Sequence, residues 1–163
     1  MGYNISKIEE IIFVNKQNIP WNDVEQYLKR YIGQEFVVEE YKDNIHISSD
    51  FPDEYSESKY TKKLRGALAK VKANASQIID LMIINATNRR WIENKDEKHK
   101  NDASEGWYRY DTYFGMLVKG SEEKEERLNQ YKATLVVRIT PKGLFLYDVL
   151  DIKKEASTPL ESK

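Results

Sequence analysis

His99 is the residue whose side-chain type most readily does chemistry in this chain. An imidazole titrates near pH ~6.5, so it can give or take a proton at neutral pH. It stands in a polar stretch with Arg89, Arg90, Lys95, Lys98 and Lys100. Cleaving a phosphodiester without a metal takes a group that accepts the 2′-hydroxyl proton and a donor for the leaving oxygen. It also takes a cation beside the crowded phosphate. His99 with Lys98 and Arg109 is the candidate catalytic set, and Arg89 and Arg90 could hold phosphate. The competing account is a solvated histidine among lysines. His46 falls in a short alternating segment and reads as structural.

A second feature is cationic. Lys59, Lys62, Lys63, Arg65, Lys70 and Lys72 occur in a run from 57 to 80 that holds no acid between Glu57 and Asp80. On a helix, Lys59, Lys62, Lys63 and Lys70 share one face. Such a face neutralises phosphates without reading sequence, or is simply solvated. A third is aromatic. In Trp107-Tyr108-Arg109-Tyr110-Asp111-Thr112-Tyr113-Phe114 a strand puts Trp107, Arg109, Asp111 and Tyr113 on one face and Tyr108, Tyr110, Thr112 and Phe114 on the other. Aromatics beside a cation suit stacking on unpaired bases, with Tyr108 and Tyr110 as candidates, and core packing is the alternative. Tyr147, Asp148 and Asp151 read as structural.

Other chemistries lack their residues. The 163-residue chain has no Cys, two His 53 positions apart and seven Gly. Thiol catalysis, a clustered metal site and a glycine-rich phosphate loop are therefore not expected, nor is a cofactor. No run of ~20 apolar residues predicts a membrane span, and no leader-like segment is read at the start. A cytoplasmic protein is expected. The formal net charge of −1 hides an asymmetry. Residues 1–57 carry −7, residues 58–100 carry +7 and residues 101–163 carry −1. Either the basic third faces an anionic partner, or the acidic third packs beside it and neutralises it.

These residues need elements to position them. Ser6 and Glu9 form a capping-box pattern ahead of Ile8, Ile11 and Ile12, which predicts a helix over residues 6–17. Asn22 would cap a second helix with Val24, Tyr27, Leu28 and Tyr31 as its stripe, ended by Gly33. Residues 35–41 and 45–48 alternate as a hairpin, and residues 49–58 read as a polar loop. A long helix is expected over residues 57–85, with a break at Gly66 or at residues 73–75. Strands are expected within residues 107–118, 131–140 and 144–152, the last pair joined at Pro141-Lys142-Gly143. The fold class is α+β, with N-terminal helices and a long basic helix packed on a mainly antiparallel sheet. One domain over residues 1–155 and a frayed polar tail over residues 156–163 complete the expectation.

Several runs carry a family likeness. They are Asp50-Phe51-Pro52-Asp53-Glu54-Tyr55, Ser58 through Gly66, Lys72-Ala73-Asn74-Ala75, Ala86 through Trp91, Lys98-His99-Lys100, Gly106-Trp107-Tyr108 and Leu146 through Glu155. Together they resemble the large polyvalent protein-associated domains of phages and conjugative elements of gut Firmicutes, over about residues 45–159. The resemblance implies a mobile-element origin, as a stand-alone member or a domain of a longer polyprotein. Some neighbouring domains in those polyproteins resemble the barnase, EndoU, colicin and RelE ribonuclease group, which sets N-terminal helices before an antiparallel sheet. The expected function is action on nucleic acid, RNA favoured, as a metal-independent endoribonuclease. One alternative is a non-catalytic module that binds nucleic acid or an acidic protein. Another is a phage-encoded inhibitor whose acidic third mimics phosphate.

Overall fold

The computed structural model describes residues 6–95, 103–119 and 126–160. It is a mixed α/β structure around one curled, seven-stranded mixed sheet. The elements run β1 (Ser6–Ile8), α1 (Trp21–Leu28), β2 (Glu35–Val38), β3 (Asp43–His46), α2 (Phe51–Glu57), α3 (Lys59–Lys63), α4 (Gly66–Ala75), α5 (Ile79–Ile84), β4 (Thr87–Ile92), β5 (Trp107–Lys119), β6 (Glu126–Thr140) and β7 (Gly143–Pro159). Spatial order is β1-β5-β6-β7-β3-β2, and β4 shares the outer edge of β5 with β1. Neighbours pair antiparallel except β1 with β5 and β3 with β7.

One face of this sheet makes the core. Tyr110, Thr112, Phe114 and Met116 of β5 alternate inward, as do Ala133, Leu135 and Val137 of β6. Against them pack Ile79, Met82 and Ile83 of α5, Val71 of α4, Val24 and Leu28 of α1, and Phe51 and Tyr55 of α2. The period of two along β5 is the one its sequence shows, so Trp107, Arg109, Asp111 and Tyr113 fall on the opposite face.

Three local expectations are corrected. The helix over residues 6–17 does not form. Ser6–Ile8 is a short strand on β5, and the chain then runs irregularly over α4. Buried Asn74 holds it there. Its Oδ1 accepts from the Ile12 and Phe13 amides at 2.9 and 3.1 Å, and its Nδ2 donates to the Phe13 carbonyl at 2.9 Å. Side-chain hydrogen bonds thus satisfy backbone groups that a helix would have paired.

Second, the region expected as a polar loop and a long helix broken in two is a chain of short helices; the break at Gly66 is present, and a 3-10 turn over Ser76–Ile78 separates α4 from α5. Residues 51–57 form α2, with Pro52 in its first turn. Ser58 is extended at φ −63°, ψ 160°, and its Oγ accepts from Thr61 N at 3.2 Å to cap α3. A β-region cap that accepts from the third residue on is how a helix restarts in a new direction. Leu64 and Arg65 are extended, and α4 opens at Gly66 with φ +64°, a conformation that strains any residue with a Cβ. Third, residues 156–159 are not frayed, because β7 runs to Pro159 and pairs with β6 as far as Arg127. No helix among the described residues is long and apolar enough to cross a membrane.

Candidate functional site

Residues paired across a sheet share a face. Arg90 pairs with Arg109, Arg109 with Val136, and Val136 with Asp148, so these residues form one row across β4, β5, β6 and β7. The row lies on the face turned away from the core. Above it is a cleft of about 690 Å³. Glu54, Glu57, Ser58, Lys59, Tyr60 and Lys62 of α2 and α3 wall one side, and Ile92 to Lys95 wall the other. Its floor is Trp107, Arg109, Val136, Tyr147, Asp148 and Leu150. The Trp107 and Tyr147 rings meet edge to face, 5.0 Å between centroids. The volume and the mix of aromatic and polar walls suit a small ligand or one unit of a polymer.

Asp148 is the most unusual group in that floor. Its side chain is 2% exposed, and the Lys72 side chain behind it is 0% exposed. Lys72 Nζ donates to Asp148 Oδ1 at 2.8 Å and to Thr61 Oγ1 at 2.6 Å. It also lies 4.5 and 5.1 Å from the ring centroids of Tyr55 and Tyr60. The Val149 amide donates to the same Oδ1 at 2.8 Å. Burial pushes the Asp148 carboxyl above its ordinary value, against the pull of Lys72. Burial also pushes the Lys72 ammonium down, against the pull of Asp148. A carboxylate poised in this way at a cleft floor is what a general base requires. Lys72 does not line the cleft and can act only through its neighbours.

Arg109 shares the floor. Among the described residues its guanidinium has no hydrogen bond or ion pair, although the side chain is partly covered. Adjacent strands lie ~4.8 Å apart, so the Arg109 and Asp148 backbones are about 10 Å apart across β6.

The residues singled out from the sequence separate into groups. Arg109, Lys59 and Lys62 come together at the cleft. Lys63 and Lys70 do not line it and have no ion-pair partner among the described residues. Arg65 turns back to donate to the Lys62 and Leu64 carbonyls at 2.6 and 2.7 Å. The break at residues 64–66 puts Lys70 on a different helix from Lys59, Lys62 and Lys63, so the single lysine face is not formed. Arg90 is in the row but reaches Asp111 Oδ1 at 3.1 Å.

Arg89 is elsewhere. It donates to both oxygens of Asp43 at 2.9 Å and sits 4.6 Å from the ring centroids of Tyr41 and Tyr108. Tyr110 is fully buried and gives its hydroxyl to Asp43 Oδ2 at 2.6 Å. Tyr108 and Tyr110 therefore brace the core side of the sheet, and neither faces the cleft to orient a nucleotide. Lys98 and His99 lie outside the described residues. They follow Lys95, which lines the cleft, by three and four positions.

The acidic third neutralises only part of the basic charge. Asp43 takes Arg89, and Asp50 takes Arg138 at 2.9 Å. Lys59, Lys63, Lys70 and Arg109 keep no acidic partner among the described residues, and Lys62 has only Glu57 at 4.0 Å. No group of three or more His, Cys, Asp and Glu that could hold a metal occurs among the described residues.

No protein-family model matches the chain, and no curated protein or solved structure matches it.

The sequence pointed to Arg109 but passed over Asp148 and Lys72. Two signals were available. Lys72 follows Leu68 by one helical turn and Val71 by one residue, inside the apolar stripe of α4. Asp148 is the one acid within Leu146-Tyr147-Asp148-Val149-Leu150. A buried cation and a buried anion that each interrupt an apolar run are natural partners.

Proposed function

We propose that this chain is a nucleic-acid-acting domain of a mobile element, and that it cleaves RNA in the cleft between α2–α3 and the open sheet face. The observation that carries the proposal is an unpaired arginine and a buried, lysine-backed carboxylate in one row of a cleft floor walled by aromatic rings. Arg109 holds the scissile phosphate and stabilises the charge that builds on its oxygens. Asp148 takes the 2′-hydroxyl proton, and the freed oxygen attacks the adjacent phosphorus. A 2′,3′-cyclic phosphate forms and the 5′-oxygen leaves, taking a proton from an acid for which His99 or Lys98 is the candidate. Lys59 and Lys62 at the rim draw in the polyanion. Trp107 and Tyr147 supply ring edges against which a base packs. The family likeness supports this reading.

Incubating the protein with total tRNA in EDTA tests it. Cleavage that leaves cyclic-phosphate ends, lost in Arg109→Ala and in Asp148→Asn, is the expected result. Intact RNA with the folded protein overturns catalysis. The charge of Lys59 and Lys63, which have no acidic partner among the described residues, favours one second reading, a non-catalytic module that binds nucleic acid. It predicts salt-dependent binding without cleavage, and no binding at low salt rejects both.

A further inference from the structure

We propose that the cleft is one end of a path for single-stranded RNA, which continues along the face of β5, β6 and β7 turned away from the core. The inference rests on the cleft being the RNA site. The row that contains Arg109 is followed on the same face by Asp111, Thr134 and Leu150, and then by Tyr113, Lys132 and Lys153. Two same-face steps cover about 13 Å along a strand, long enough for more than one nucleotide beyond the cleft.

The far row carries the right chemistry. Tyr113 is 38% exposed, and Lys132 Nζ lies 5.9 Å from its ring centroid. Lys153 is exposed and has no acidic partner among the described residues. The intervening carboxylate, Asp111, is neutralised. Arg90 meets it at 3.1 Å, Lys132 at 3.7 Å, and the Asn88 amide donates to it at 2.8 Å. Asp148 in the first row, Asp151 at a β7 bulge with φ +53° and exposed Glu155 beyond Lys153 are the other acids along this stretch of β7. The far row itself, Tyr113 with Lys132 and Lys153, is cationic and ends in an exposed aromatic residue. Lysines that follow a backbone and a ring that stacks on a base bind single strands with little sequence preference. Duplex RNA keeps its bases stacked inside and offers that ring nothing. The partner is a single strand several nucleotides long, with its scissile phosphate at Arg109.

Binding of the full chain to labelled 2′-O-methyl oligouridylates, in EDTA, tests the path without cleavage. Octamer, dinucleotide and a blunt duplex are compared by fluorescence anisotropy and competition. The octamer is expected to bind at least ~10-fold tighter than the dinucleotide and the duplex. Lys132→Ala with Lys153→Ala should erase that length advantage and lower the salt slope by about 1.4, or ~0.7 for each lost phosphate contact. Lys153→Glu alone, at an exposed position that folding does not need, should weaken the octamer in the same direction. An octamer no tighter than the dinucleotide, or a salt slope unchanged in the double variant, overturns the path and leaves the cleft proposal standing. Absence of all binding at low salt, the dinucleotide included, defeats the cleft reading and the path with it.

Discussion

Replacing Lys72 by Met keeps the length of the side chain and removes its charge. In the native fold that charge has a carboxylate at 2.8 Å, a hydroxyl at 2.6 Å and two tyrosine faces within about 5 Å, and no water reaches it. Met fills the volume between the rings but leaves Asp148 buried opposite nothing. Removing one partner of a buried pair costs ~3–5 kcal/mol, because the remaining charge loses its compensation. For a domain of this size, each kcal/mol moves the melting temperature by roughly 2–4 °C, so a fall on the order of 10 °C is expected. Asp148→Leu alone strands the ammonium and should cost a similar amount. Lys72→Met with Asp148→Leu removes both charges together and should recover most of the loss, since apolar replacements of buried pairs are often neutral or better. Thermal melts by circular dichroism, analysed as a double-mutant cycle, measure the coupling. The restored double variant should still fail to cut RNA, since it lacks the base. If Lys72→Met melts within ~2 °C of the parent, the ammonium is not held as a charge and the account of the cleft floor is wrong.

Other consequences are open to direct measurement. Lys72 holds the Asp148 carboxyl down against burial, so Lys72→Met should move the acid limb of the pH profile of RNA cleavage to higher pH; an unmoved limb removes Asp148 from the role of base. Burial raises the Asp111 carboxyl, but Asn88, Arg90 and Lys132 together hold it below its ordinary value. Its stabilising contribution is then present above pH ~3.9 and is lost as pH falls below that, so Asp111→Asn should flatten urea-monitored stability across that acid window. Asn74→Ala leaves the Ile12 and Phe13 amides and the Phe13 carbonyl without partners; at about 1–3 kcal/mol per orphaned buried group, protease cutting and amide exchange should rise at residues 9–14 before the sheet loosens. In Gly106→Ala the new Cβ would lie 2.6 Å from Trp91 Nε1 and 2.9 Å from the Ile92 carbonyl, at φ +99°. Strain of that kind costs more than ~1 kcal/mol, and the Trp91 emission spectrum should shift with the displaced β4.

What the sequence reveals of this fold depends on whether the signal is local. The alternation in β5 is legible because each strand face meets a uniform environment, core on one side and cleft on the other. The α1 stripe and the β2–β3 hairpin are legible for the same reason. The helix over residues 6–17 has a good stripe and cap, yet Asn74, sixty residues away, supplies hydrogen bonds that let Ile8 and Phe13 bury without a helix. Propensity is overridden by a partner that no local window contains. Likewise the lysines from 59 to 72 look alike in sequence. Only the folded arrangement sends Lys72 inward to Asp148 and leaves Lys59 and Lys62 at the cleft, because the extended Ser58 and the break at residues 64–66 rotate each short helix separately.

That rotation gives a reason for a charged pair where an apolar one would be more stable. α3 is five residues long and cannot hold its own direction by burial, since Thr61 is its only buried residue. A non-directional apolar contact beneath it would allow it to slide. The Lys72 ammonium instead bridges Thr61 of α3 to Asp148 of β7, while Ser58 Oγ at the helix cap donates to Thr61 Oγ1 at 3.1 Å and the Ile152 amide donates to Tyr60 Oη at 2.8 Å. Each of these bonds has a fixed length and direction, so together they set the height of the α3 wall above the row that holds Arg109. On this view the pair trades stability for placement. The apolar double variant should keep its melting temperature while α3 amides exchange faster and the cleft loses its affinity for RNA. Unchanged α3 exchange in that variant would mean that packing alone positions the wall, and that the buried charge serves Asp148 chemistry and nothing else.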